Sequence, residues 1–295
     1  MGEISEALRR ARLEREARVE APLGVREALA SREPRKPAGA AGPRASIERA
    51  RTGPWPARAV LVEGQRAVAE GFRQLAVRVE QELAARGRKS LLVSSAHREE
   101  GKTLTSCNLA LALASLEADR RVALVDLDLR KPSVARVLGI DARVGLEHVL
   151  RGGLPMAEVC VQTDIASLDV YPARKPDRDA HQLLTTPAFE GMLRELESRH
   201  STVIFDMPPI LAVPDVALIA SRIGACLIVV RAGSTRRKAL EDALRPLPED
   251  ALIGVFLNDA RVRGGRLRYQ EYTYGAEDDE EQGRPEEERN GRRGE

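Results

Sequence analysis

The stretch Leu91 to Thr103, LLVSSAHREEGKT, constrains this chain more than any other part of it. An apolar run ends in a loop, and Gly101-Lys102-Thr103 opens a helical pattern. Ala96 to Thr103 fit a small residue, four of any type, then Gly-Lys-Thr, and a strand before with a helix after gives so short a pattern its weight. Such a loop turns successive backbone N–H groups and a helix N-terminus toward an anion, so nucleotide phosphate is the ligand to expect. Lys102 is then placed to reach the β/γ oxygens and the Thr103 hydroxyl to hold Mg²⁺. Alone the pattern recurs by chance, and the rest of the chain decides its meaning.

A length of 295 residues holds one large α/β domain with tails, or two small domains. Hydrophobic residues at 43% with aromatics at 3% describe an aliphatic core, as in a sheet covered by Leu/Ala-rich helices. The net charge of +2 conceals an Arg-heavy beginning and an acidic end, and so balanced a total gives nucleic-acid binding no support. Cys107, Cys160 and Cys226 lack metal-ligand spacing; buried, reduced thiols and a cytoplasmic location are expected. No apolar run has the length of a membrane span, and the start, MGEISEALRRARLERE, is a charged helical pattern rather than a signal peptide. Work at a membrane is therefore expected to need a partner that brings the protein there.

Residues 1–57 run from a possible amphipathic helix into EPRKPAGAAGPRAS, and too little apolar surface predicts a disordered basic arm. Residues 58–266 carry the domain. Phe72, Leu75, Val79 and Leu83 mark a helix over 68–83, followed by a strand at 90–94 and a helix over 101–117. Val122 to Val125 is an all-apolar run of the kind a strand buried on both faces shows, and Asp126 and Asp128 stand at its carboxyl end. Ligands of open α/β sheets bind outside those ends. A helix at 145–151, a strand at 168–171 and a helix at 189–196 lead to STVIFDMPPI. There the strand Thr202 to Phe205 closes in Asp206, which stands where an acid for Mg²⁺ or its water belongs. A strand at 225–230, a helix at 235–244 and a last strand at 252–257 ending in Asn258 complete the domain. The alternation predicts an α/β fold with a mostly parallel central sheet and helices on both faces, and the phosphate-loop pattern at Ala96 to Thr103 makes it the expectation of a P-loop NTPase. Right-handed crossovers then bring Lys102, Asp126, Asp128 and Asp206 together.

Beyond residue 266 the character changes. Tyr269, Tyr272 and Tyr274 are three of the chain's four tyrosines, and Glu277 to Glu281 is an unbroken acidic run. A disordered, solvated tail over 267–295 is expected. The tyrosines read either as an aromatic patch that docks back or as sites of modification.

Taken together, EGKT, VDLDLRKP, VIFDMPPILAVPDV, CLIVVRAGSTRRKAL, VFLN and the tyrosine cluster resemble the bacterial tyrosine kinases of exopolysaccharide and capsule synthesis, a branch of the MinD/ParA-like phosphate-loop ATPases. The resemblance runs from about residue 64 to the C-terminus. It implies an ATP- and Mg²⁺-dependent autokinase that phosphorylates Tyr269, Tyr272 and Tyr274 in trans. It places Ala96, Glu100, Gly101, Lys102, Thr103, Leu104 and Asn258 around the nucleotide, and Thr103, Asp206 and Asp128 at the metal. Asp126, Asp128, Lys102 and Arg130 become the catalytic set, with Asp126 preferred over Asp128 as acceptor of the tyrosine proton. A transmembrane polysaccharide co-polymerase as activator, a cognate tyrosine phosphatase, self-association and recruitment to the inner face of the plasma membrane follow from the same resemblance.

The chain departs from that pattern at three points. Glu99 and Arg98 stand where the family carries glycine and proline, and a positive φ at 99 would strain a glutamate. The helix motif Glu-x-x-Arg-x-x-Arg, tied to ring assembly, reads Glu70, Arg73 and Ala76. Residues 173–184, ARKPDRDAHQLL, echo the family's Pro-Asn-Pro segment only loosely. Two other functions stay open. The first is a MinD/ParA-type partitioning or positioning ATPase, which expects lysine where His97 stands. The second is a nucleotide-binding scaffold with weak or no transfer activity, which Glu99 and Ala76 favour.

Overall fold

The computed structural model describes residues 66–260 except Ala118, together with the backbone alone at Arg66 and Ala67. The N-terminal arm and the tyrosine and acidic tail, Tyr269, Tyr272 and Tyr274 included, lie outside the described residues.

In chain order the elements are α1 (Arg66–Ala85), β1 (Ser90–Ser95), α2 (Lys102–Ala114), β2 (Val122–Asp126), α3 (Val134–Leu138), α4 (Leu146–Leu150), α5 (Met156–Val159) and β3 (Val161–Gln162). They continue as β4 (Leu168–Tyr171), α6 (Ala180–Leu183), α7 (Pro187–Arg199), β5 (Thr202–Asp206), α8 (Asp215–Ile223), β6 (Cys226–Arg231), α9 (Arg237–Leu244) and β7 (Leu252–Asn258). The strands form one sheet in the order β3-β4-β2-β5-β1-β6-β7. Every pairing is parallel except β3 with β4. The expected elements are present within a few residues of their anticipated ends. The two-residue β3 and the four- or five-residue helices are too short for periodicity to reveal. α8 is longer, and its start signal is Pro214 immediately before Asp215.

Successive strand residues point to opposite faces, and here both faces are covered. Leu92, Ala123, Val125, Val203 and Phe205 pack on one side with Phe189, Met192 and Leu196 of α7 and Val216, Ile219 and Ile223 of α8. Leu91, Val93, Val122, Leu124 and Ile204 pack on the other with Phe72, Ala76, Val79 and Leu83 of α1 and with α2. The parity carries through to the strand ends. Asp126 and Asp206 share a face with Leu124 and Ile204, the face on which α2 lies, and the two aspartates are register partners. The loop between β1 and α2 therefore opens directly over both carboxylates.

Cys107 and Cys226 are buried free thiols and Cys160 is a half-buried one. No helix among the described residues is long and apolar enough to cross a membrane. On α1, Glu70 and Arg73 pair with each other at 3.2 Å on the exposed side, whereas Ala76 is fully buried against the sheet. An arginine at 76 has no room to remain where the alanine packs.

At the opposite end of the sheet a second polar group closes the core. His200, buried, has Nε2 2.9 Å from Asp169 Oδ2 and Nδ1 2.9 Å from the Leu196 carbonyl, and Arg121 pairs with the same carboxylate. Burial pushes the Asp169 carboxyl up, but the His200 hydrogen bond and Arg121 outweigh it and hold the group below its ordinary value. Its stabilising effect is thus complete above the usual carboxylate range and is lost as pH falls through the depressed value. Asp169→Ala leaves His200 buried without its acceptor and should cost about 3–5 kcal/mol, measured by urea unfolding at neutral pH. The same variant should show a flatter acid limb in its stability-versus-pH curve.

Candidate functional site

The loop from Ala96 to Gly101 joins β1 to α2, and two backbone positions in it take positive φ: Gly101 at 94° and Glu99 at 65°. Gly101 is required twice over. A Cβ there would fall in the left-handed region and 2.0 Å from Asn258 Nδ2. Asn258, the last residue of β7, donates that same Nδ2 to the Glu100 carbonyl at 3.0 Å, so the final strand of the sheet clasps the loop. Glu99 is the departure anticipated above, and its φ is the strained one.

Glu100 holds the loop from beneath. Its buried carboxylate accepts the His97 N–H at 2.9 Å and the Thr235 hydroxyl at 2.5 Å, and Thr235 in turn accepts the Arg231 N–H at 2.8 Å. The Glu100 side chain is therefore turned away from the cleft. His97 and Arg98 are exposed, and Ala96 is fully buried.

Below the loop lies the charged centre. Lys102 Nζ is 3.0 Å from Asp128 Oδ2 and 3.7 Å from Asp206 Oδ2. The Thr103 hydroxyl donates to Asp206 Oδ2 at 2.7 Å and sits 2.9 Å from Ser133 Oγ, while Ser106 donates to Asp206 Oδ1 at 3.0 Å. Asp126 is fully buried, and its carboxylate accepts the backbone N–H groups of Ser133 at 2.9 Å, Val134 at 3.0 Å and Asp128 at 3.2 Å. The four residues expected to converge do so, but the two acids of β2 divide the work. Asp126 anchors the turn to α3, whereas Asp128 lines the open cleft.

Three carboxylates surround one ammonium, and the protonation energetics record the imbalance. Burial, then Asp206, push the Asp126 carboxyl up to about 8 against the N–H groups of Val134 and Ser133 and the charge of Lys102. Burial also raises Asp206, although Lys102, Thr103 and Ser106 oppose it. For Lys102, burial works against the charged form, yet Asp206, Asp128 and Asp126 outweigh burial and raise its value. The two directions are consistent: the centre is short of positive charge. Oxygen donors and that deficit fit Mg²⁺, which is held by one or two carboxylates together with phosphate oxygens rather than in an all-protein cage.

The centre opens into a cleft of about 910 Å³ lined by Gly101 to Leu104, Asp128, Pro208, Pro209, Asn258 and a set of cationic side chains. Arg130 is one of them. Its Nη2 bonds Asp215 Oδ2 at 3.1 Å rather than Asp126 or Asp128, and His181 Nδ1 lies 2.5 Å from the other oxygen of the same buried carboxylate. Arg231 pairs with Asp259 at 3.0 Å. Ser106, Ser133, Asp215, His181 and Thr235 are the residues of this site that the sequence reading passed over. Asp215 alone carried a local signal, an acid after proline at a helix start.

The AAA domain family matches residues 76–241. The chain is 29% identical over 192 residues to the tyrosine-protein kinase ptk of Acinetobacter johnsonii, a match that takes in 64% of this chain and 26% of that protein. It is 28% identical over 207 residues to the tyrosine-protein kinase YwqD of Bacillus subtilis, covering 70% of this chain and 85% of YwqD. The chain thus spans about a quarter of the length of one relative and most of the other. Among solved structures it is similar to the kinase domain of the Escherichia coli tyrosine kinase ETK, with a TM-score of 0.63, 25% identity, and coverage of 73% of this chain and 84% of that one.

Two substitutions test the loop. Gly101→Ala should weaken binding of a fluorescent ATP analogue between about fivefold and thirtyfold, the cost of one left-handed alanine, with further loss where the Asn258 amide is displaced. Combining it with Asn258→Ala restores the space and isolates the backbone cost. Glu99→Gly removes the strained φ and should raise stability by up to about 1 kcal/mol in urea unfolding, because the freedom glycine adds to the unfolded chain offsets part of the gain.

Proposed function

The chain belongs to the AAA domain family, within the phosphate-loop ATPases, and we infer that it is an ATP-dependent protein-tyrosine autokinase that acts in exopolysaccharide or capsule synthesis. The observation that carries this reading is the second acid. A nucleotide hydrolase of this architecture needs the loop lysine and one strand-end carboxylate, which Lys102 and Asp206 supply. Here Asp128 adds a further carboxylate, 3.0 Å from Lys102 and open to the cleft, where an incoming hydroxyl has to arrive.

When bound, ATP supplies the phosphoryl group and Mg²⁺ the positive charge that the centre lacks. The backbone N–H groups of the loop and Lys102 would hold the phosphates, and Thr103 with Asp206 would hold the metal. Asp128 would accept the proton of the tyrosine hydroxyl as the tyrosine oxygen bonds to the γ-phosphorus and the bond from that phosphorus to the β–γ bridging oxygen breaks, with ADP as the leaving group. The work is mostly positioning and charge neutralisation. Asp126 keeps Ser133 and Val134 in place and so positions Asp128 and Thr103; the cleft-facing place of Asp128 makes it the better proton acceptor of the pair. Arg130, held by Asp215, faces the same cleft as a positive group for the transferring phosphate.

Tyr269, Tyr272 and Tyr274 are the acceptors in this reading, supplied by a neighbouring copy. Each phosphate adds roughly −1.5 to −2 of charge beside an already acidic run and so loosens assembly. The expected partners are a transmembrane co-polymerase that activates the kinase at the inner face of the plasma membrane and a tyrosine phosphatase that resets it. Ala76, buried on α1, directs self-association to other contacts such as the exposed Arg78.

Purified full-length protein with ATP and Mg²⁺ should gain phosphotyrosine at the 269–274 cluster, and Lys102→Met should abolish it. Asp128→Asn should lower the rate about 10²- to 10⁴-fold, the usual contribution of a positioned base. Asp126→Asn should instead lower stability by about 1–3 kcal/mol through its buried N–H partners. Glu99 favours the scaffold alternative, and nucleotide binding without any phosphotyrosine, even with a cytoplasmic activator segment present, would establish that alternative.

A further inference from the structure

Three cations of the cleft have no use in the chemistry just described. Arg98 in the loop, Lys131 after β2 and Arg136 on α3 all line the cleft and are all exposed. None of them makes an ion pair among the described residues, in contrast to Arg130 and Arg231, whose charges are met by Asp215 and Asp259. Lys102 reaches the centre from beneath, so these three form an outer rim. Exposed, unpaired cations around a cleft attract an anionic partner and set its approach.

The chain itself contains a matching anion. Glu277 to Glu281 is a run of five acids, and it begins three residues after Tyr274. Extended, three residues span roughly 10 Å and the whole run to Glu281 about 24 Å, which is the scale of a cleft mouth. The last described strand ends in Asn258, and Asn258 and Asp259 both line the cleft, so the described chain stops at Ala260, one residue beyond the cleft lining. We propose that the rim of Arg98, Lys131 and Arg136 is a docking site for the acidic run Glu277–Glu281 of a second copy, which holds that copy's tyrosines over Asp128. The proposal rests on the autokinase reading, and it adds how the acceptor is recognised: by an acidic peptide downstream of the tyrosine rather than by residues at the tyrosine itself. Because the contact is between exposed charges, it weakens as salt rises.

Two measurements on the full chain test it. The acceptor is the Lys102→Met chain, with the native run or with E277Q, D278N, D279N, E280Q and E281Q. The enzyme is the chain with Tyr269, Tyr272 and Tyr274 changed to Phe and its own run neutralised in the same way. Neutralising the acceptor should raise the KM for acceptor about tenfold at low salt with kcat unchanged. K131E with R136E in the enzyme should produce the same loss, without adding to it. An equal KM for both acceptors, or additive losses, would overturn the proposal, and so would a KM for ATP that rises in step with the rim change. The second measurement is fluorescence anisotropy of a labelled peptide, residues 266–283, on the enzyme. Salt-sensitive binding that falls about tenfold on neutralisation supports docking even where no phosphotyrosine forms, in which case only the kinase reading fails. Binding indifferent to the acids overturns docking, whatever the catalytic result.

Discussion

Three buried or nearly buried carboxylates face a single ammonium at the carboxyl ends of β2 and β5, and the rest of the site follows from that imbalance. Carboxylates are costly to bury unless they are paired and hydrogen-bonded. Asp206 is satisfied by two hydroxyls of α2, and Asp126 by three backbone N–H groups. What remains unmet is net charge. A centre in this condition favours a divalent cation, and a polyanion can approach it only where a cation comes with it. The site is thus prepared by the protein for its ligands rather than merely shaped for them.

The sheet makes this arrangement possible through parity. Asp126 and Asp206 lie on the α2 face because they are an even number of residues from Leu124 and Ile204, which pack there. A one-residue slip of either strand would send its carboxylate to the α7 and α8 side. The all-apolar runs before each acid prevent the slip, because both faces bury every residue of them. The loop above is held with similar redundancy. Glu100 secures it from below through Thr235, and Asn258 from the side through the Glu100 carbonyl.

The order of strands and helices, the convergence of Lys102 with the three acids, and the strain at Glu99 were legible in the sequence, because each rests on a local pattern. Apolar runs name strands, and an acid at a strand end names its location. The division between Asp126 and Asp128 was not legible. It depends on which carboxylate the turn at Ser133 folds over, and that is a tertiary fact. The resemblance puts Arg130 in the catalytic set beside the acids of β2, but the partner that holds it is Asp215, 85 residues away, brought in by α8. Likewise Glu100 was grouped with the nucleotide contacts, and only the position of Thr235, 135 residues later, turns its side chain inward. Ala76 looked like a missing arginine; its burial shows that the helix has been put to a packing use at that point.

The clasp between Asn258 and the loop spans 158 residues of chain. A ribosome that has finished the phosphate loop has therefore still to make nearly the whole of the domain before the residue that steadies it emerges. Until then the Glu100 carbonyl lacks its Asn258 donor, and the freedom of Gly101 is not limited from that side. The loop is therefore completed by the last strand: a chain that stops short of β7 lacks the amide that steadies the Glu100 carbonyl.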